Sequence, residues 1–287
     1  MKFRCYRKHW ARKLSVFLAV AIFSMVTNVS VFAASSSNDA PVNIGSEPVS
    51  ESSSNYSDEF KVYTDHIDQQ LLDFQANPNF SEAQKEVAEE KAELLKALLS
   101  GKIVAQPRSS SCTNYVPFYR QVTNFYCGPA SIQQTLGHYG YSPIPAQAEI
   151  YNDTQHSEWS KMISYLNQKL NPGNEPGYVC YDAWWNHSSK NMQTTITSIA
   201  GTGTPIIAHI EVSQAGRTSY TDTRHWPYTT GGHYLSISGY HNNGEKIELT
   251  DPFILDTPAG KSDSRYNGGK YQIDFDVLDA TCDRLIL

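Results

Sequence analysis

The sequence predicts an α+β fold in which a helix carrying a nucleophilic side chain at its N-terminus packs against an antiparallel sheet, with two further helices ahead of it. Three observations predict this. Tyr126-Cys127-Gly128-Pro129-Ala130 opens a run whose apolar residues, Ile132, Leu136 and Tyr139, fall at spacings of four and three, one buried stripe of a helix. The segment Gly231-Gly232-His233-Tyr234-Leu235-Ser236-Ile237-Ser238-Gly239-Tyr240 alternates strictly, as a strand does. The turn cluster His241-Asn242-Asn243-Gly244 joins it to a second short strand, Lys246 to Thr250, which makes a hairpin.

Residues 1–34 have the three parts of a secretory signal. Lys2, Arg4, Arg7, Lys8, Arg12 and Lys13 precede an apolar run from Leu14 to Val26, and Val31-Phe32-Ala33-Ala34 supplies small residues for cleavage. The apolar run is short for an anchor and no second one follows, so the protein is expected to be secreted, free or held at the cell surface, with no membrane span in its mature form. Losing those six basic residues makes a chain of formal charge −6 more acidic still, which argues against nucleic acid and anionic membrane as partners. Residues 35–56, rich in Ser, Asn and Pro, read as a disordered tether.

Residues 57–107 should hold two helices. Phe60, Tyr63, Ile67, Leu71 and Phe74 recur at threes and fours until Asn77-Pro78 ends the pattern. Ser81 with Gln84 has the form of a capping box, opening a helix through Val87, Leu94, Leu95 and Leu98 to Gly101. The pair is either an inhibitory prosegment or a spacer from the cell surface, with Gln106-Pro107-Arg108-Ser109-Ser110-Ser111 as the exposed processing linker. Residues 108–287 then suit one domain with a sizeable core.

Within that domain Gly128 allows a tight turn into the helix and Pro129 suits the first helical position. Cys127 therefore sits among unpaired N–H groups at the positive end of the helix dipole. Such settings lower a cysteine pKa from ~8.5 to roughly 3.5–7.5, and a two-unit shift is worth ~2.7 kcal/mol. The plain alternative is a small buried cysteine. What favours chemistry is the hairpin. A turn centred near Asn242 or Asn243 brings His233, at the start of one strand, within a pair or two of Asp251-Pro252, at the end of the next. An imidazole can then take the thiol proton while the carboxylate holds its Nδ1 and fixes its tautomer. Gln121, six residues before Cys127, can donate its amide to an oxyanion, beside the backbone N–H of Cys127.

The rest of the domain follows from period and punctuation. Trp159, Met162, Ile163, Leu166 and Leu170 mark a helix after Ser157, stopped by Asn171-Pro172-Gly173. Met192, Thr195, Ile196 and Ile199 mark another, ended near Gly201. Pro205 opens a strand from Ile206 to Val212 that should lie beside the hairpin, and Tyr271 to Phe275 adds a later strand. Two aromatic stretches are less bound to the core: 178–187, with Trp184 and Trp185, and 220–228, with Trp226. They are candidates for the wall of a substrate cleft, or for core packing. Of the cysteines other than Cys127, two among Cys112, Cys180 and Cys282 can pair in an oxidising space. No Cys-x-x-Cys or His-Glu-x-x-His pattern occurs, and no metal or other cofactor is expected.

Gln121 ahead of Cys127-Gly128, and His233 followed by Asp251-Pro252, resemble the double-glycine-leader (bacteriocin-processing) cysteine peptidases. The chain is more closely similar to their exported relatives in cysteine peptidase family thirty-nine, where a Tyr-Cys-Gly-Pro-Ala opening and a Gly-His-Tyr strand are usual. The resemblance covers about residues 116–274; Tyr126 departs from the acidic residue that leader-processing members usually carry there. It implies a papain-like cysteine peptidase fold in which Cys127 is nucleophile, His233 base, Asp251 orienter and Gln121 oxyanion donor. The activity implied is hydrolysis of peptide bonds in a peptide or protein substrate through a thioester. A thiol-dependent amidase or acyl transferase would use the same residues, and a catalytically inactive peptide-binding module could share the fold.

Overall fold

The computed structural model describes residues 54–78, 80–99, 109–170, 182–184, 189–212, 226–257, 260–261 and 264–287. The expected signal, all but the end of the tether, residues 106–108 of the expected linker, Cys180 and Trp185 lie outside the described residues.

Two helices come first, α1 at Ser54–Ala76 and α2 at Glu82–Leu99. Between them the expected capping box is present in full: the Ser81 N–H donates to Gln84 Oε1 at 2.7 Å, and the Gln84 N–H donates to Ser81 Oγ at 3.3 Å. After a two-residue strand, β1 at Cys112–Thr113, an extended segment leads to α3 at Cys127–His138. This helix starts two residues earlier than the proline suggests. Cys127 itself takes the first helical position and Pro129 the third, still within the turn where a missing N–H costs nothing. Its end is set by Gly140, whose φ of +71° lets the Gly140 and Tyr141 N–H groups turn back onto the Gly137 and Leu136 carbonyls.

A short helix that the sequence pattern did not announce follows, α4 at Gln147–Asp153, and then the expected α5 at Trp159–Leu170. Next come β2 at Asp182–Trp184, α6 at Ser189–Gly201, β3 at Ile206–Val212, β4 at Thr230–His241 and β5 at Lys246–Thr250. The chain closes with β6 at Lys270–Asp274, a single turn α7 at Phe275–Asp279, and β7 at Cys282–Ile286. Asn242, Asn243 and Gly244 all adopt left-handed φ in the β4–β5 turn, which is why that cluster was so strong a turn signal.

The strands form one antiparallel sheet in the order β2-β7-β3-β4-β5-β6, with β1 pairing β4 at Gly239 and Tyr240, past the part of β4 that β3 covers. β7 lies inside the sheet, between β2 and β3. Alternation along β3 and β4 sorts the core into two layers. Ile207 and Tyr234 face α3 and α5, where Ile132, Leu136, Met162 and Leu166 are buried. Ile206, Ala208, Leu235 and Ile237 face the opposite way, onto Met192, Ile196 and Ile199 of α6. Fully burying each such side chain contributes about 1.5–3 kcal/mol.

The helical pair packs against the rest of the chain. Ile67 of α1 and Ala88, Ala92 and Leu95 of α2 belong to the second layer, and the Lys91 ammonium, itself buried, donates to the Leu287 carbonyl at 2.7 Å. The compact unit accordingly runs from Ser54 to Leu287. These helices lie behind the sheet, on the side away from α3. Among the described residues no helix is long and apolar enough to cross a membrane.

Candidate active site

Cys127 stands at the N1 position of α3, 9% exposed, with Tyr126 as a non-helical cap that offers no side-chain bond. The Ala130 N–H closes the first turn on the Tyr126 carbonyl, so the N–H groups of Cys127 and Gly128 stay turned towards the sulfur end of the helix. The sulfur receives hydrogen bonds from His233 and from the backbone N–H groups of Tyr234 and Gly128. Burial pushes the thiol pKa up. The bond and charge of His233, with those two N–H groups, outweigh it and bring the thiol below its ordinary value.

His233 is buried near the start of β4, its ring edge-on to Tyr228 and Phe253 at 5.6 and 6.0 Å. The hairpin register pairs Ser236 with Thr250, which sets Asp251 level with Leu235, two positions from His233 on the same face. The side chains close that diagonal: His233 Nε2 meets Asp251 Oδ1 at 2.9 Å. This corrects the expectation that Asp251 would hold Nδ1. With Nε2 on the carboxylate, Nδ1 is the ring nitrogen left for Cys127. Burial lowers the imidazole pKa, but the charge and bond of Asp251 and the bond to Cys127 push it up to about 10. Both shifts favour the charged forms, thiolate and imidazolium, over the neutral pair.

Asp251 is fully buried, and four donors surround it. Oδ1 accepts from His233 and from the Phe253 N–H at 2.8 Å; Oδ2 accepts from the Tyr228 hydroxyl at 2.7 Å and the Tyr271 hydroxyl at 2.9 Å. Burial raises its pKa, and the His233 charge with these bonds takes it below the usual carboxylate range. Neither tyrosine was legible as a site residue. Tyr228 lay in a stretch read for its aromatic content, and Tyr271 was one residue of a strand.

Gln121 is buried with its N–H on the Pro252 carbonyl at 3.1 Å, which ties it to the residue after Asp251. Its amide Nε2 donates to the Thr123 carbonyl at 2.9 Å, and its Oε1 is buried with no partner among the described residues. Gln147 of α4, also missed in the sequence, clamps both neighbours of Gln121. It accepts the Val122 N–H at 3.0 Å and donates to the Arg120 carbonyl at 2.9 Å. Between Gln121 and Cys127 the loop holds Val122 and Phe125 more than two-thirds exposed. Tyr126 packs at a tilt against Tyr151, and Tyr151 stacks on His156, with ring centroids 4.8 and 4.7 Å apart. His156 belongs to Gln155-His156-Ser157, three consecutive non-glycine residues of positive φ.

The aromatic wall is corrected in part. Trp226 is fully buried in the layer behind the sheet, with its Nε1–H on Thr281 Oγ1 at 2.9 Å, and reaches no cleft. An indole with its one donor satisfied is a core residue. Trp184 ends β2, opposite Arg284, and Trp185 lies outside the described residues. Cys112, Cys127 and Cys282 are free thiols.

Residues 113–273 match the family model described as Peptidase_C39 like family. Among solved structures the chain is similar to xylellain, a cysteine protease from Xylella fastidiosa, at 13% identity and a TM-score of 0.40, over 62% of this chain and 85% of that one. No curated protein matches.

Proposed function

The chain belongs to the Peptidase_C39 like family and is a cysteine peptidase; from that premise we propose that its α+β fold is papain-like and that it hydrolyses peptide bonds through a thioester formed at Cys127. The observation that carries the reading is the continuous chain of hydrogen bonds from Cys127 through His233 to Asp251 at a helix N-terminus. The thiolate attacks the scissile carbonyl carbon and a tetrahedral oxyanion forms. As the C–N bond breaks, the imidazolium gives its proton to the leaving amine. The neutral imidazole then takes a proton from water, whose oxygen attacks the thioester and releases the acid, returning sulfur and imidazole to their charged states. The backbone N–H of Cys127 and the Gln121 amide are the proposed oxyanion donors; one amide N–H is held by Thr123, and the other is the one for the substrate. Each such donor is typically worth ~2.7–4 kcal/mol.

Cys127→Ala is expected to abolish turnover while the protein stays folded, and mass spectrometry of the wild type quenched during turnover should catch an acyl group on Cys127. Undiminished turnover in the variant refutes the nucleophile. An amine acceptor added to the reaction separates hydrolysis from acyl transfer, since stoichiometric amine incorporation marks the latter. Export is part of the proposal and rests on residues 1–34. The place of α1 and α2 behind the sheet supports a scaffolding role for them rather than occlusion of the cleft. N-terminal sequencing of active protein from culture medium checks both: it should begin before Ser54, and a fully active start near residue 108 would return these helices to prosegment status.

A further inference from the structure

Asp251 makes more contacts than an orienting carboxylate needs. A single bond from His233 would fix the tautomer, and the Phe253 N–H already shares that oxygen. Yet Oδ2 is occupied by two phenols from separate parts of the chain. Tyr228 comes from the segment leading into β4, five residues before His233, and Tyr271 from β6 on the far side of β5. Both anchors are rigid. Tyr228 packs against Trp226, which is pinned to Thr281, and Tyr271 meets Tyr266 edge-on at 5.2 Å while the carbonyl of Gly269, two residues before Tyr271, accepts the Asp251 N–H at 2.8 Å.

A carboxylate has about four lone-pair directions, and here four donors fill them. Such a group cannot rotate without breaking two bonds. We propose that Tyr228 and Tyr271 are positioning residues for the peptidase: together they lock the plane of Asp251, so that His233 must give it Nε2 and present Nδ1 to Cys127. The inference rests on the Cys127–His233–Asp251 reading above. Without the phenols, Oδ2 is a buried acceptor with no partner, and the carboxylate gains both a reason to rotate and a reason to take a proton. Either event loosens the imidazolium and releases the thiolate. The titratable groups facing Asp251 are His233 from β4, Tyr228 from the segment before it and Tyr271 from β6, with Cys127 beyond the imidazole and Tyr266 beyond Tyr271.

The test compares Y228F, Y271F and the double variant with wild type in three measurements: kcat and KM on a peptide substrate, the pH dependence of Cys127 alkylation by iodoacetamide, and the thermal midpoint. Each single variant should lose about tenfold in kcat with KM unchanged, as one charge-assisted bond is lost. The acid limb of alkylation should move up by about one pH unit, and further in the double variant. A purely structural role would lower the thermal midpoint and leave the alkylation profile alone. Superimposable profiles in folded variants therefore overturn the proposal. If the phenylalanine variants do not fold, 3-fluorotyrosine placed at residue 228 keeps the bond and makes its donor more acidic. The acid limb should then move down, and an unmoved limb is equally fatal. A wild type whose Cys127 shows no rapid alkylation at mildly acidic pH would instead sink the catalytic reading itself.

Discussion

Alanine in place of Gly128 would put a Cβ 2.7 Å from Ser157 Oγ, 2.8 Å from Ser157 Cβ and 3.3 Å from Tyr234 Cδ2. The two Ser157 contacts are roughly 0.7 Å inside ordinary van der Waals distance. Ser157 has nowhere to go. It is buried at a φ of +65°, its N–H is held by Thr154 Oγ1 at 3.3 Å and its carbonyl by the Tyr234 hydroxyl at 3.2 Å. The start of α3 must therefore yield, and Cys127 is the residue beside the new methyl. Overpacking of this kind costs ~1–3 kcal/mol, of which helix propensity returns less than ~1. Displacement of a catalytic group by ~1 Å costs on the order of 10²-fold in rate. Gly128→Ala is thus expected to lose about 1–2 kcal/mol of stability and ten- to a hundredfold in kcat/KM.

The same geometry predicts its own rescue. Ser157→Gly removes both clashing atoms, keeps both backbone bonds, suits the left-handed φ and discards a buried hydroxyl with no partner among the described residues. Alone it should leave stability unchanged or higher, and combined with Gly128→Ala it should restore most of what the alanine cost. The assay is a double-mutant cycle in urea unfolding and peptide hydrolysis, with an expected coupling of ~1–2 kcal/mol. Additive losses, or a Gly128→Ala enzyme indistinguishable from wild type, would refute the claim that the Gly128–Ser157 contact sets the position of the nucleophile.

Two further expectations concern charge and packing. The kcat/KM profile should be bell-shaped, rising as Cys127 deprotonates below the ordinary thiol range and falling as His233 loses its proton near pH 10. Stability should follow: the raised His233 pKa contributes fully below about 6.5 and is lost as pH climbs through about 10, whereas the lowered Asp251 pKa contributes above about 4 and is lost as pH drops through its folded value. Urea unfolding across the pH range measures this, and stability still rising at pH 10 would contradict it. Trp226→Ala should cost ~3–5 kcal/mol through the cavity it leaves in the core. Intact stability with an altered peptide preference would reinstate Trp226 as a cleft residue.

What the amino-acid order determined alone is whatever short-range sterics and hydrogen bonding decide. The helix at Cys127, the Ser81–Gln84 box, the left-handed Asn242-Asn243-Gly244 turn and the alternation around His233 each depend on groups a few residues apart. Even the nearness of His233 to Asp251 is of this kind, since one hairpin turn sets the register between them. Tertiary packing decided everything that needs a third element to be in place. The packing of β4 against β5 put His233 Nε2 rather than Nδ1 on Asp251, and the arrival of β6 and the 226–229 segment brought two phenols onto the same carboxylate. Burial of the second core layer took Trp226 inside and absorbed α1 and α2. A sequence pattern states which face of an element is apolar, but the partner of that face, and the direction in which a polar atom within it points, is set by contacts with other elements that no local pattern encodes.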